Sequence, residues 1–195
     1  GFLRERDHFE FVVNEALPAL LGAVPRRFHV WSAACSTGEE PYSLGFYLAE
    51  HRPVAAGWDW QILATDISTK ALARATEGVY AEDRLTTVPP EWLRRYFQRG
   101  HGGYEGYYRV KAAVRERVRF GQVNLLSDFE VDWRFEVILC RNVMIYFDRP
   151  TQQQLVGQLA RHLVPGGYLI TGHSESLNGL PVGLRCLRPS IYQKP

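Results

Sequence analysis

The sequence is poor in cysteine, in long apolar runs and in net charge, and each shortage closes off a class of protein. Three cysteines occur in 195 residues, Cys35, Cys140 and Cys186. The number is odd and no CxxC spacing is present, so neither a disulfide framework nor a zinc site is expected, and a reducing, cytoplasmic setting fits best. No stretch approaches the roughly 20 consecutive apolar residues of a membrane-spanning helix, and no signal-peptide pattern opens the chain. The formal net charge of +2 is too small to point to nucleic acid or an anionic membrane. Arg115, Arg117 and Arg119 alternate along an apparent strand and read as one solvated face.

What is present is an ordinary core-forming composition, 46% apolar and 23% charged, on a length that suits one α/β domain with a small insertion. Apolar residues at Phe9, Val12, Val13, Ala16, Leu17 and Leu20 recur at helical spacing from Asp7, a candidate N-cap, to Leu21. A strand at Phe28–Ala33 follows, flanked by Pro25, then a helix from Glu39 to His51 that tolerates Pro41 in its first turn. Trp60–Thr65 is a second strand ending at Asp66, and Ser68 caps a helix that Gly78 stops. Val118–Val123 and Phe135–Cys140 are strands. Thr151–Leu163 is a helix with Pro165-Gly166-Gly167 as its terminator, and strands at Tyr168–Thr171, Leu184–Leu187 and Ser190–Gln193 complete the sheet. Alternating strands and helices imply a doubly wound, largely parallel sheet. The region from about 89 to 117 breaks the alternation. Trp92, Leu93, Tyr96 and Phe97 suggest a helix there, and Gly100, Gly102, Gly103 and Gly106 among tyrosines suggest a small antiparallel β insert.

In such a sheet, ligands bind at the carboxyl ends of the strands, and the informative residues gather there. The first strand runs into Ser32-Ala33-Ala34-Cys35-Ser36-Thr37-Gly38-Glu39-Glu40, whose small residues let a ligand approach the backbone. No lysine is present, so this is not a phosphate-gripping P-loop. Two glutamates open the next helix where a phosphate would otherwise sit. A ligand with hydroxyls or positive charge suits the loop, as S-adenosylmethionine does; alternatively, the acids only stabilise a helix N-terminus. Asp66 can accept hydrogen bonds from ribose hydroxyls or serve as a turn residue. Asn124, with Leu125 placed to pack on an adenine ring, and Asn142 end the third and fourth strands. Cys35 and Cys140, also at strand ends, read as small buried residues beside a pocket.

Taken together these stretches closely resemble the CheR family of chemoreceptor glutamate methyltransferases. The resemblance is carried by Phe2-Leu3-Arg4-Glu5…His8-Phe9, by Val30–Ser43 and by Ala64-Thr65-Asp66-Ile67-Ser68. It continues in Cys140-Arg141-Asn142-Val143-Met144-Ile145-Tyr146-Phe147-Asp148 and Gly172-His173-Ser174-Glu175-Ser176-Leu177. It implies a Rossmann-like class I fold dependent on S-adenosylmethionine, with a β subdomain inserted at about 89–117. Arg4, Ala34, Glu40, Asp66, Asn124, Leu125, Asn142 and Val143 would line the cofactor pocket. Tyr146 would stand nearest the methyl group, and Arg4 would help place cofactor or substrate. Leu3 stands where the family has a second Phe. The abrupt opening at Phe2-Leu3-Arg4 reads as an excised domain without the family's N-terminal helical domain. Arg99–Gly106 follows the family's Gly-x-Gly-x-x-x-Gly pattern, which implies that Gly100, Gly102, Gly106, Tyr107 and Arg109 grip a receptor's C-terminal pentapeptide tether by strand addition. A plain glycine-rich hairpin turn is the simpler account.

The implied reaction is transfer of a methyl group from sulfonium sulfur to a glutamate oxygen, giving a methyl ester and S-adenosylhomocysteine. A carboxylate is ionised near neutral pH and needs no strong base, which agrees with the lack of any Ser-His-Asp or Cys-His arrangement. His173 and Glu175 read as supporting or turn residues. A methyltransferase for another acceptor remains open. An adenine-directed enzyme would carry Asn- or Asp-Pro-Pro-aromatic where Arg141-Asn142-Val143-Met144 stands. A cofactor-sensing or receptor-docking module without turnover also remains, and a nicotinamide dehydrogenase is disfavoured by the paired glutamates.

Overall fold

The computed structural model describes residues 1–20, 27–51 and 59–195. The predicted helix end at Leu21 and the flanking Pro25 lie outside them. Helix α1 (Arg6–Phe11) continues through a π-helical stretch, Val12–Ala16, into α2 (Leu17–Leu20). Strand β1 (Arg27–Ser32) leads to α3 (Glu39–Glu50), and β2 (Asp59–Asp66) to α4 (Thr69–Glu77). Ser68 caps α4 by accepting the Ala71 N–H, and Gly78 ends it in the left-handed conformation, as the sequence predicts. Next come β3 (Val79–Ala81), α5 (Pro90–Tyr96), β4 (Phe97–Arg99), β5 (Tyr107–Val110) and α6 (Ala112–Arg115). The chain closes with β6 (Val118–Gln122), β7 (Phe135–Cys140), α7 (Arg149–His162), β8 (Leu163–Thr171), β9 (Arg185–Arg188) and β10 (Ile191–Gln193).

The main sheet has the order β6-β2-β1-β7-β8-β10-β9. Its first five strands are parallel, while β10 inserts antiparallel between β8 and β9. This is the doubly wound α/β architecture expected. Every residue of β7 is buried, as suits a central parallel strand covered on both faces. One apolar cluster holds Phe2, Phe9, Phe28, Tyr42 and Phe46; the other holds Trp31, Phe135, Leu155 and Leu159 from β1, β7 and α7. No helix among the described residues is long and apolar enough to cross a membrane.

Several boundaries differ from expectation for local reasons. Asp7 is not the N-cap, because Glu5 occupies that position with φ 54°; Asp7 instead pairs with His173 at 2.9 Å. Helix α7 starts two residues early because Asp148 accepts the Thr151 N–H at 2.9 Å and Pro150 is accommodated in the first turn. Pro165-Gly166-Gly167 does not form a loop after α7. Gly166 and Gly167 exchange backbone hydrogen bonds with Lys194, which draws the segment into β8. The second sheet, β3-β5-β4, takes one strand from 79–81, upstream of the predicted insert, and Phe97 begins a strand instead of extending the helix. Arg115 ends α6. Arg117 and Arg119 cover the Trp60 and Trp133 rings, a use of guanidinium faces that charge spacing alone does not reveal.

Candidate active site

Sheet order reverses at β1, with β2 on one side and β7 on the other, so the loops leaving β1 and β7 open a crevice between them. A cleft of about 260 Å³ lies there. Its wall from the β1 side is Ala34-Cys35-Ser36-Thr37 with Glu39 and Glu40; Arg141 and Asn142 face it from β7, and Arg4 and Phe9 close it from the N-terminal segment.

The β1 loop is held by a network that the sequence order explains. Ser36 adopts φ 49°, and its N–H donates to Asp66 Oδ2 at 2.8 Å, while Asp66 Oδ1 accepts the Ser68 N–H at 2.9 Å. Asp66 therefore ties the loop to the end of β2. Gly38 has φ 96°, and a Cβ there would come within 2.8 Å of Tyr80 Oη and 2.9 Å of Ala75 Cβ, so only glycine fits. Glu39 is engaged by Arg84 and by Thr37 Oγ1 at 2.6 Å. Burial would raise its pKa, yet these bonds hold it below the ordinary value. Glu40 accepts from Ser32 Oγ at 2.7 Å. Burial raises its pKa, against the pull of Arg141.

Arg141 organises the opposite wall. It is buried, stands over the Phe9 ring at 5.1 Å, and donates to Arg4 O at 2.5 Å and Glu5 Oε2 at 3.1 Å. It thereby clamps the N-terminal segment across the cleft. Arg4, flanked by Leu3 and Glu5 in left-handed backbone, then reaches Asn142 Oδ1 at 3.0 Å. Of the five non-glycine residues with positive φ among those described, Ser36 and Asn142 line this cleft, and Leu3 and Glu5 flank Arg4, which closes it. Such strain concentrates where surrounding structure enforces a functional geometry.

Of the predicted cofactor residues, Arg4, Ala34, Glu40 and Asn142 come together in the cleft. Asp66 braces it from beneath. Asn124 Oδ1 accepts the Leu126 N–H at 3.0 Å in a local turn, Leu125 packs in the second apolar cluster, and Val143 is partly buried against it. Tyr146 lies on the 3₁₀ turn Met144–Tyr146 and is 78% exposed. Cys35 and Cys140 are buried, and burial pushes both thiols up, which makes them poor nucleophiles. Sequence reasoning missed Arg141 and Glu5. The available signal was an arginine directly after six apolar or strand-compatible residues, a place where a guanidinium must find buried partners.

A second cleft, of about 610 Å³, opens on the small sheet and is lined by Gly100, Tyr107 and Arg109 with Arg99, His101 and Tyr104. Gly102 and Gly106 shape the turn beside it, at φ 60° and 80°. Strand β4 is an edge strand of that sheet.

A family model described as CheR methyltransferase, SAM binding domain, matches residues 1–192. The chemotaxis protein methyltransferase of Salmonella typhimurium is 42% identical over 185 residues, covering 92% of this chain and 61% of that protein. Chemotaxis protein methyltransferase 2 of Pseudomonas aeruginosa is 42% identical over 195 residues, covering 98% and 68%. The chain thus spans about three fifths of the Salmonella protein's length. Among solved structures, SAM-bound CalS10, an amino pentose methyltransferase from Micromonospora echinaspora, aligns with a TM-score of 0.48 at 16% identity, covering 85% of this chain and 49% of that one.

Proposed function

The chain belongs to the CheR methyltransferase family, whose SAM-binding domain it spans, and from that premise we propose that it methylates glutamate side chains of chemoreceptor cytoplasmic domains. The products are glutamate methyl esters and S-adenosylhomocysteine, the process is chemosensory adaptation, and the setting is cytoplasmic. The single observation that carries the reading is the cleft at the switch point, where a carboxylate, Glu40, lies with Arg4 and Asn142, which are hydrogen-bonded to each other. This donor set fits S-adenosylmethionine. Hydroxyl and ammonium groups find carboxylate acceptors, a carboxylate finds Arg4, and a polyphosphate would meet Glu39 and Glu40.

The cofactor, when bound, supplies an electrophilic methyl group on a sulfonium centre. The chain's residues do the rest. Glu40 and Asn142 orient by hydrogen bonding and Arg4 fixes a carboxylate, while Asp66, Asn124, Leu125 and Val143 shape the loops and core on which the cleft is built. The acceptor glutamate is already ionised near pH 7, so no residue has to remove a proton from it. Alignment and exclusion of water are the tasks left to the protein, and this reading gives Tyr146 a part in both.

Exposed large apolar side chains support a protein acceptor. Ile67, Leu126, Ile145 and Tyr146 are exposed on segments that follow β2, β6 and β7, around the carboxyl edge of the sheet. A rim of that kind suits a helical surface presenting glutamates. On the small sheet, the tyrosine-lined cleft beside edge strand β4 suits an extended receptor tail joined by strand addition. The test is incubation with labelled cofactor and receptor cytoplasmic fragments, with and without their C-terminal tails. Base-labile methyl ester is expected on glutamate. Binding without ester would leave a docking or sensing module, and labelling unaffected by tail removal would defeat the tether reading alone.

A further inference from the structure

We propose that Glu175 is a positioning residue for the cofactor cleft, one carboxylate that fixes the Asn142–Tyr146 turn through three of its backbone N–H groups and ties it to the end of β8 through a fourth, that of Gly172. The inference rests on the cofactor reading above. Glu175 is 6% exposed. Its Oε2 accepts the N–H groups of Asn142 and Gly172, each at 2.7 Å. Its Oε1 accepts those of Met144 at 2.7 Å and Ile145 at 3.2 Å.

Three of these amides belong to a segment that leaves β7 without entering another strand or a long helix, and the fourth, Gly172, lies just past the end of β8, so the ladders of the sheet do not serve them. Buried amide donors left unpaired cost about 1–3 kcal/mol each. A carboxylate is the one side chain that offers two oxygens with capacity for four such bonds. Glu175 is itself held from both sides. Its N–H donates to Gly172 O at 2.9 Å, and its C=O accepts from Thr171 Oγ1 at 2.7 Å. Space at residue 172 is reserved for it, because a Cβ there would lie 2.8 Å from Glu175 Oε2 and 3.0 Å from Asn142 Oδ1.

The consequence reaches the cleft through two residues. Asn142 sits at φ 59°, an unfavourable conformation that the Glu175 bond to its N–H helps enforce, and in that conformation its Oδ1 meets Arg4. At the far end of the same turn stands Tyr146. Glu175 therefore sets the Asn142 wall of the cleft and, on the proposed reading, the residue assigned to the reacting methyl.

Glutamine at this position keeps size but turns an NH₂ group toward two of the four amide donors. The experiment is titration calorimetry with S-adenosylhomocysteine on wild type, Glu175→Gln and Gly172→Ala, alongside amide hydrogen exchange. Glu175→Gln is expected to weaken binding about tenfold or more. Protection should fall at Asn142, Met144, Ile145 and Gly172 while the β1 and β2 amides keep theirs. Gly172→Ala retains the charge but displaces it, and should reproduce the same local pattern; it decides the matter if the glutamine variant does not fold. Binding by both variants within about twofold of wild type, or protection lost equally across the sheet, overturns the proposal. Failure of the wild type to bind would overturn the cofactor reading and this inference with it.

Discussion

Arg141 and Glu40 face each other at 3.5 Å across the throat of the cleft, their side chains 2% and 19% exposed. The same guanidinium holds Glu5, so one buried cation serves two carboxylates and a backbone carbonyl. Removing one member of such a set leaves buried charge uncompensated, which costs on the order of 3–5 kcal/mol. Arg141→Met is therefore expected to lower the urea midpoint and to release the Arg4–Glu5 segment. Arg141→Lys should not rescue it, since an ammonium cannot match the planar fork. An unchanged midpoint in equilibrium unfolding would count against the clamp.

In the proposed reading Glu40 carries the acceptor role toward cofactor, and its burial raises its pKa above the ordinary 4.5. Protonation then begins at a higher pH than for a free glutamate and removes acceptor capacity. Cofactor affinity should fall as pH is lowered, with a midpoint above 4.5. Glu40→Gln should weaken binding about tenfold and flatten that dependence. Calorimetry across pH checks both, and an acid limb that survives in the glutamine variant would assign the dependence elsewhere.

His8 is fully buried, and its pKa is lowered from 6.5 to about 4 by burial first and by the Arg141 cation second. Asp7 and Glu5 oppose the shift, while His173 adds to it. The unfolded chain thus binds a proton between these values that the folded chain does not. Stability is complete above about 6.5 and declines as pH falls toward 4, by roughly 3 kcal/mol in all. His8→Phe should remove most of this acid sensitivity in urea unfolding curves taken between those limits. A variant curve that falls as steeply as wild type would exclude His8 as the source.

The parallel sheet was legible because its strands are short apolar runs ending in punctuation, and Ser68 and Gly78 mark α4 by a side-chain cap and a left-handed backbone that act within four residues. The candidate site was half legible. Arg4, Ala34, Glu40 and Asn142 converge as expected, but Asp66, Asn124 and Leu125 spend contacts on the loops and core that shape the cleft. What the sequence hid were the direct side-chain bonds that bridge more than a hundred positions, such as Arg141 to Glu5 and His29 to Glu136. Such pairs have no local period. Strand β3 escaped for a related reason, since three residues, Val79–Ala81, are too few to show alternation and find their partner only at Tyr107–Arg109.

For the small sheet, Tyr107 is 46% exposed and Arg109 lines the same cleft. Tyr107→Ala with Arg109→Glu should weaken binding of a receptor tail peptide about tenfold or more, because aromatic contact and charge are lost together. Cofactor affinity should not change, since neither residue lines the β1–β7 cleft. Fluorescence anisotropy with a labelled tail peptide reads the first and calorimetry the second. Equal tail affinity would leave the glycine-rich segment as a hairpin turn only.

Tyr146 offers the sharpest test of chemistry because so little else depends on it. At 78% exposure it contributes little packing, so Tyr146→Phe should shift stability by no more than about 0.5 kcal/mol. If the hydroxyl orients methyl donor or acceptor, its loss should lower kcat about tenfold to a hundredfold, with cofactor affinity unchanged, since the interaction would matter most as the methyl moves. Tyr146→Ala removes the ring as well and should fall further if the aromatic face shields the acceptor from water. Single-turnover transfer of labelled methyl separates these cases. Full turnover by the phenylalanine variant with loss in the alanine variant would leave the ring, and not the hydroxyl, as the working part. Full turnover by both would remove Tyr146 from the reaction and return attention to Arg4 and Asn142, the two cleft residues already bonded to each other.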